Sequence, residues 1–234
     1  MLKELHISNY RLFDDLTIPE LRQVNLIAGK NNTGKTALLE ALRIWAARGG
    51  STTINHLLKV RGEFTPSRYD SYDFLFPKNK LEKNGSLTLA INELRIKEKS
   101  RVNMESRFSV EWANSEQEDL NPNITADFPQ DKPIFVPFNN EHFPIQNLWE
   151  EIVARPLEDE VVDILKIVEP RLRRIHINGE NSKVLLEGNL EPVPLKSLGE
   201  GTSRLLWLAV ALVSAKKSML LIDEFEAGLH HSVQ

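Results

Sequence analysis

Residues 29–36, Gly-Lys-Asn-Asn-Thr-Gly-Lys-Thr, constrain this chain more than any other segment. They fit G-x-x-x-x-G-K-[ST], a pattern whose chemistry is the enclosure of a polyphosphate. Gly29 and Gly34 let the backbone curl with its N–H groups inward and leave room for phosphate oxygens. A helix after Gly34 turns its positive end and unpaired N–H groups toward the same anion. Lys35 supplies an ammonium for the β- and γ-phosphates, and the Thr36 hydroxyl a ligand for magnesium. Lys30, Asn31, Asn32, Thr33 and Ala37 complete the expected contact set. Average residue usage gives this pattern by accident in about one chain in a hundred of this length. Its setting narrows that further, so ATP with Mg2+ is the expected ligand.

The setting is an apolar run before the loop and a helical pattern after it. Val24–Ala28 reads as a short buried parallel strand. Leu38, Leu39, Leu42 and Trp45 then recur at helical spacing until Gly49-Gly50 stops them. Upstream, Leu2–Ile7 alternates as a half-exposed strand does, Asn9-Tyr10-Arg11 turns the chain, and Phe13–Ile18 returns.

A second apolar strand, Ser218–Ile222, delivers Asp223 and Glu224 at its C-terminal end. In α/β sheets the ligand crevice lies at those ends, so Asp223 is placed to reach the magnesium that Thr36 holds. Glu224, pointing differently, is placed to polarise an attacking water as catalytic base. Alone, an acidic strand end is ordinary solvated surface. Beside a phosphate loop, the metal-and-base reading is the stronger one.

Between these ends the style changes. Residues 61–132 are polar, with turn signals at Pro66, Pro77-Lys78-Asn79 and Asn84-Gly85, and strand patterns at Ser86–Lys97 and Arg107–Trp112. Ser115–Asp131 reads as an acidic loop. Pro133–Phe138 is a further strand, helices are expected at Ile145–Val153, Leu157–Val168 and Arg204–Ala215, and Arg174–Ile177 with Lys183–Leu186 suggest a hairpin. The expected organisation is α/β: a mixed sheet core flanked by helices, in parts 1–60 and 133–234, with an inserted β and helical lobe at 61–132. Arg61, Arg68, Lys78, Lys80 and Lys83 lie near Tyr69, Tyr72, Phe74 and Phe76. That mixture suits either a nucleic-acid contact or, as favoured here, a loop with its own small core.

Bulk properties set limits. Twenty-nine basic against 33 acidic residues give a net charge of −4, so no global basic field holds nucleic acid. The chain has no cysteine, which removes disulfides, thiolate zinc sites and thiol nucleophiles. Its N-terminus breaks apolar residues with charges and is no signal peptide. The apolar run Leu205–Val213 is too short to span a bilayer. The expectation is a cytoplasmic protein without a membrane partner.

Ser197-Leu198-Gly199-Glu200-Gly201-Thr202-Ser203-Arg204, followed by a helix and the acidic strand, resembles the signature segment of ABC-type ATPases. Its S-x-G-x-x-x form is similar to that of the SMC, recombination-repair and OLD (overcoming lysogenization defect) groups. Asn9-Tyr10-Arg11 and Glu226-Ala227-Gly228-Leu229-His230 also resemble OLD-like ATPases. The likeness covers roughly residues 1–60 and 133–234. It implies a P-loop NTPase of the ABC type, working as a head-to-tail homodimer. Gly199, Gly201 and Thr202 of one copy would then contact ATP held by the other. The same resemblance implies that Arg11 approaches the nucleotide within its own head. It further implies a DNA or nuclease partner, with a place in DNA repair or phage defence. Such proteins continue past the acidic strand with a helix, a strand and a histidine. This sequence ends at Gln234, so a truncated core is expected. Two other readings stay open: a degenerate module that binds nucleotide without hydrolysis, and a P-loop kinase acting on a small molecule.

Overall fold

The computed structural model describes residues 2–66, 68–77, 88–102, 105–112, 118–123, 133–137, 143–178, 181–216 and 218–225. They fall into two compact units, Met1–Lys132 and Pro133–Gln234.

In the first unit, β1 (Leu5–Tyr10) and β2 (Phe13–Ile18) form a hairpin across Arg11-Leu12, with Tyr10 opposite Phe13. Leu5, Ile7 and Tyr10 are buried while His6 faces water, as alternation along a strand requires. The strand runs through Tyr10, so the turn is two residues long and later than Asn9. Four more strands extend the hairpin: β3 (Thr88–Ile91), β4 (Leu94–Val102), β5 (Glu105–Trp112) and β6 (Glu118–Asp119). The sheet order is β2-β1-β3-β4-β5-β6, antiparallel throughout. The strands expected in a separate lobe therefore share one sheet with β1. Ser86–Lys97 is not one strand, because Asn92 breaks it at φ 49°. Asn92 is well made for the turn: its side chain accepts from the His6 N–H at 2.7 Å and donates to the Glu4 carbonyl at 3.1 Å.

Two helices follow the phosphate loop, α1 (Lys35–Ala46) and α2 (Ser51–Val60). The second escaped the sequence reading, although Ile54, Leu57 and Leu58 carry helical spacing and are buried. Trp45 of α1 meets Trp112 of β5 with ring centroids 5.8 Å apart. Gly49, at φ 72°, closes the end of α1 against the sheet. A Cβ there would lie 2.6 Å from Val110 Cγ1 and 2.9 Å from Leu94 Cδ1. Gly49→Ala is expected to lower unfolding free energy by about 1–3 kcal/mol through overpacking and positive-φ strain. An unchanged urea midpoint would refute this.

The expected strand Val24–Ala28 is absent. Residues 21–30 carry no strand, and Val24 and Leu26 are 86% and 75% exposed. Local hydrogen bonding instead turns the chain, with Asn25 accepting from the Arg22 N–H and donating to the Arg22 carbonyl. An apolar run sets a tendency to be buried, but a strand also needs a partner edge. Among the described residues none pairs with this segment.

In the second unit, β7 (Ile134–Val136) and β11 (Leu220–Ile222) pair in parallel, with Ile222 opposite Val136. Between them run α3 (Ile145–Ala154), α4 (Glu158–Leu165), β8 (Leu172–His176), β9 (Lys183–Leu186), β10 (Val193–Pro194) and α5 (Glu200–Ser214). The expected hairpin is the β8–β9 pair, within a three-stranded sheet of order β10-β9-β8. Trp149, Ile152, Val161, Leu165, Leu206 and Val210 belong to one buried apolar cluster. Helix α5 begins at Glu200 rather than Arg204, which puts Glu200–Ser203 of the signature-like segment in its first turn. No helix among the described residues is long and apolar enough to cross a membrane.

Candidate nucleotide site

The phosphate loop is curled and open. Asn32 and Gly34 adopt positive φ of 61° and 99°, and the Gly34 carbonyl accepts the first helical hydrogen bond, from Leu38 at 2.8 Å. No side chain caps α1, so its first N–H groups lack a side-chain partner at the cap. Gly29, Lys30, Asn31, Asn32 and Thr33 are exposed, Lys35 and Thr36 half-buried, and Ala37 buried. The curl is fastened from within. The Thr33 hydroxyl donates to the Lys30 carbonyl at 2.8 Å, while Lys35 Nζ donates to the Gly29 and Lys30 carbonyls, both at 2.9 Å. The ammonium thus spans the mouth of the loop. A Cβ at Gly34 would meet Leu12 Cδ1 and Phe13 Cζ at 2.9 Å, so the β1–β2 tip packs directly beneath the loop.

Arg11 lies in that same tip, at φ 51°, and its guanidinium is committed to neighbouring carboxylates. It makes a two-pronged pair with Glu63, at 3.2 and 2.9 Å, and its Nε lies 3.2 Å from Glu40 and 3.3 Å from the Tyr10 hydroxyl. Glu40 is 4% exposed and also receives Arg61 Nε at 2.6 Å. Burial opposes the Arg11 charge, but the oxygens of Tyr10, Glu63 and Glu40 override it and hold its pKa above the ordinary value. Burial, with Glu40 adding, likewise raises the Tyr10 phenol, which stays neutral and donates to Glu40. Glu40 and Glu63 do not stand out in the sequence, and Arg61 does so only within the basic and aromatic cluster. The available signal was a carboxylate between Leu39 and Ala41, on the helical face that Ala37, Ala41 and Ile44 bury.

In the second unit, Gly199 opens α5 at φ 96°, with nothing within 4 Å of where a Cβ would stand. No side chain caps this helix either. Gly199 and Glu200 are exposed, Gly201 is half-buried, and Thr202 is buried with its hydroxyl donating to the Leu198 carbonyl at 3.1 Å. Thr202 is therefore turned toward its own helix start. Asp223 and Glu224 diverge where β11 ends: Asp223 is 8% exposed and its N–H donates to the Val136 carbonyl at 3.0 Å. Glu224 is exposed at φ 47°. A non-glycine residue in that region is strained by about 1–3 kcal/mol and is held there by its surroundings. In the sequence, Arg204 stands only as the end of the signature-like segment and the start of the expected helix. It is 5% exposed and donates to the Pro137 carbonyl at 2.9 Å and the Asp223 carbonyl at 3.2 Å.

Thr36 and Asp223 supply a hydroxyl and a carboxylate, the hard oxygen donors that magnesium takes. They lie in different units. Of the basic and aromatic cluster, Arg61 is tied to Glu40, and Tyr72 and Phe76 are buried against Phe108. That is the small-core arrangement. Lys78, Lys80, Lys83 and the Tyr69 side chain lie outside the described residues, as do 226–231 with His230 and His231.

The profile of a family described as an AAA ATPase domain matches residues 1–142. An uncharacterized protein of Methanocaldococcus jannaschii is 33% identical over 138 residues, which is 56% of this chain and 55% of that protein. An ATP/GTP phosphatase of Helicobacter pylori is 25% identical across 99% of this chain and 78% of its own length. The DNA replication and repair protein RecF of Bacillus thuringiensis is 32% identical over 103 residues, 44% of this chain and 25% of RecF. Among solved structures, an SMC head bound to the C-terminal winged-helix domain of ScpA superposes with a TM-score of 0.52 at 13% identity, over 99% of this chain and 82% of that one. The fold is thus that of an α/β P-loop ATPase of the ABC type.

Proposed function

The chain belongs to the AAA ATPase domain family, and from that premise we propose that it binds magnesium-ATP at Gly29–Thr36 and hydrolyses it to ADP and phosphate. The observation that carries this reading is the curled loop at the start of α1, with Lys35 Nζ stretched across its mouth. Entering phosphates take over the ammonium and meet the uncapped N–H groups of the helix. Thr36 would supply a ligand to magnesium and so would Asp223, and the bound ion would neutralise charge that builds on the phosphates. Glu224 orients the attacking water and accepts its proton.

The reading extends to assembly. Two copies pair head to tail, and the open N-terminus of α5, through Gly199, Gly201 and Thr202, closes on the γ-phosphate held by the other copy. Support comes from the signature-like segment and from the exposed Gly199–Glu200 start of α5. The likeness to RecF supports a DNA-linked role; a nuclease partner and phage defence rest on the OLD-like segments of the sequence. In the same reading, Arg11 approaches the nucleotide within its own head.

Glu224→Gln is the direct test. ATP affinity is expected to stay within about threefold while phosphate release falls roughly 10²–10⁴-fold, the range for losing a positioned proton acceptor. Light scattering should then show dimers that persist in ATP. Unchanged turnover in Glu224→Gln, or the absence of ATP-dependent dimers, would overturn the base or the switch respectively. Turnover only with an added acceptor would select a kinase instead.

A further inference from the structure

Arg204 is a buried charged residue that the proposed reaction leaves without a task. It sits one turn inside the α5 N-terminus, three residues after Gly201, and is 5% exposed. A guanidinium is costly to bury, and here burial lowers the Arg204 pKa while Asp223 and Glu224 oppose that drop. It donates to backbone carbonyls at the ends of two parallel strands: Pro137, just past β7, and Asp223, just past β11.

The second contact matters for chemistry. The Asp223 carbonyl belongs to the peptide plane that continues into the Glu224 nitrogen. Fixing that oxygen fixes the Asp223 ψ and thereby the direction in which the chain enters Glu224. The two peptide planes that flank Asp223 are each held, since its N–H donates to the Val136 carbonyl at 3.0 Å and its carbonyl accepts from Arg204 at 3.2 Å. Glu224 then takes its left-handed φ of 47° and points to solvent while Asp223 stays buried. The divergence of the two carboxylates depends on this brace.

We infer that Arg204 is a positioning residue for hydrolysis: it ties the first turn of α5 to the Asp223–Glu224 peptide and sets the orientation of the Glu224 carboxylate. This rests on the proposed role of Glu224. It also gives the signature-like helix a mechanical link to the acidic turn within one copy. Movement at the N-terminus of α5 reaches the base through one side chain.

The test compares Arg204→Lys and Arg204→Met with Glu224→Gln in the 234-residue chain. A lysine can reach one carbonyl at a time; a methionine reaches neither. Misplacement of a reacting group by about 1 Å can cost 10²-fold. The expected result is therefore a roughly 10–100-fold lower kcat for Arg204→Met, with magnesium-ATP Kd within about threefold of the parent and partial recovery in Arg204→Lys. In a Glu224→Gln background, single-turnover rates should fall no further when Arg204→Lys is added, because the group being positioned is already gone. A purely structural role would move Kd and kcat together and would add to Glu224→Gln. Either result, or an unchanged kcat in Arg204→Lys, overturns the inference. Should Arg204→Met fail to fold, Arg204→Lys and its double variant decide. If Glu224→Gln itself turns over like the parent, the role of Glu224 is what has failed.

Discussion

Lys35→Ala is expected to weaken magnesium-dependent ATP binding by about two orders of magnitude or more and to reduce phosphate release to background. A hydrogen bond to a charged group contributes about 1.5–3 kcal/mol, and a P-loop lysine makes two such contacts, to the β- and γ-phosphates. Every 1.4 kcal/mol is tenfold in affinity, so two lost contacts leave at most about a hundredth of the binding. Folding should hardly change. The Lys35 ammonium bonds to the Gly29 and Lys30 carbonyls, both on exposed loop residues where water replaces it. Isothermal titration with ATP, beside a urea unfolding curve, separates the two effects. Retained affinity in Lys35→Ala would remove the foundation of the proposed function.

Glu40→Ala should produce the opposite pattern, a large loss of stability in the first unit. Glu40 is 4% exposed and lies within 3.2 Å of Arg11 and 2.6 Å of Arg61. Its loss takes that carboxylate from Arg61 and leaves Arg11 with Glu63, at a cost of about 1.5–3 kcal/mol. Arg11 bears most of that cost, since its side chain is 10% exposed against 32% for Arg61. The double variant Glu40→Leu with Arg11→Met is expected to recover much of the loss, because apolar replacements of a buried pair are often neutral. Chemical denaturation followed by tryptophan fluorescence reports this through Trp45 and Trp112, which touch each other. A Glu40→Ala midpoint equal to the parent's would show that the network contributes nothing.

The contrast between these two sites explains what could be read from the residues alone. The phosphate loop is a local device: eight consecutive residues carry both the curvature and the charges, so their order was sufficient. The β8–β9 hairpin and α3 to α5 were legible for a similar reason, because turn chemistry and helical spacing are short-range signals. The Arg11–Glu40–Glu63 network joins residues 29 and 52 positions apart, and no spacing rule predicts it. Arg204 meets Pro137 across 67 positions. Val24–Ala28 failed in the same physical sense: its apolar content was visible, but strand pairing depends on an edge supplied from elsewhere. Extension of the β1–β2 hairpin by β3 to β6 likewise depends on an Asn92 turn whose partners, Glu4 and His6, lie more than 80 residues away.

The packing of Leu12 and Phe13 under Gly34 has a consequence of its own. The floor of the anion cradle is made of hydrocarbon from a hairpin tip, so the curvature of the loop and the shape of that tip are a single variable. Trimming the Leu12 side chain removes the support on which the glycine rests. The cradle would relax although every residue that touches phosphate is still present.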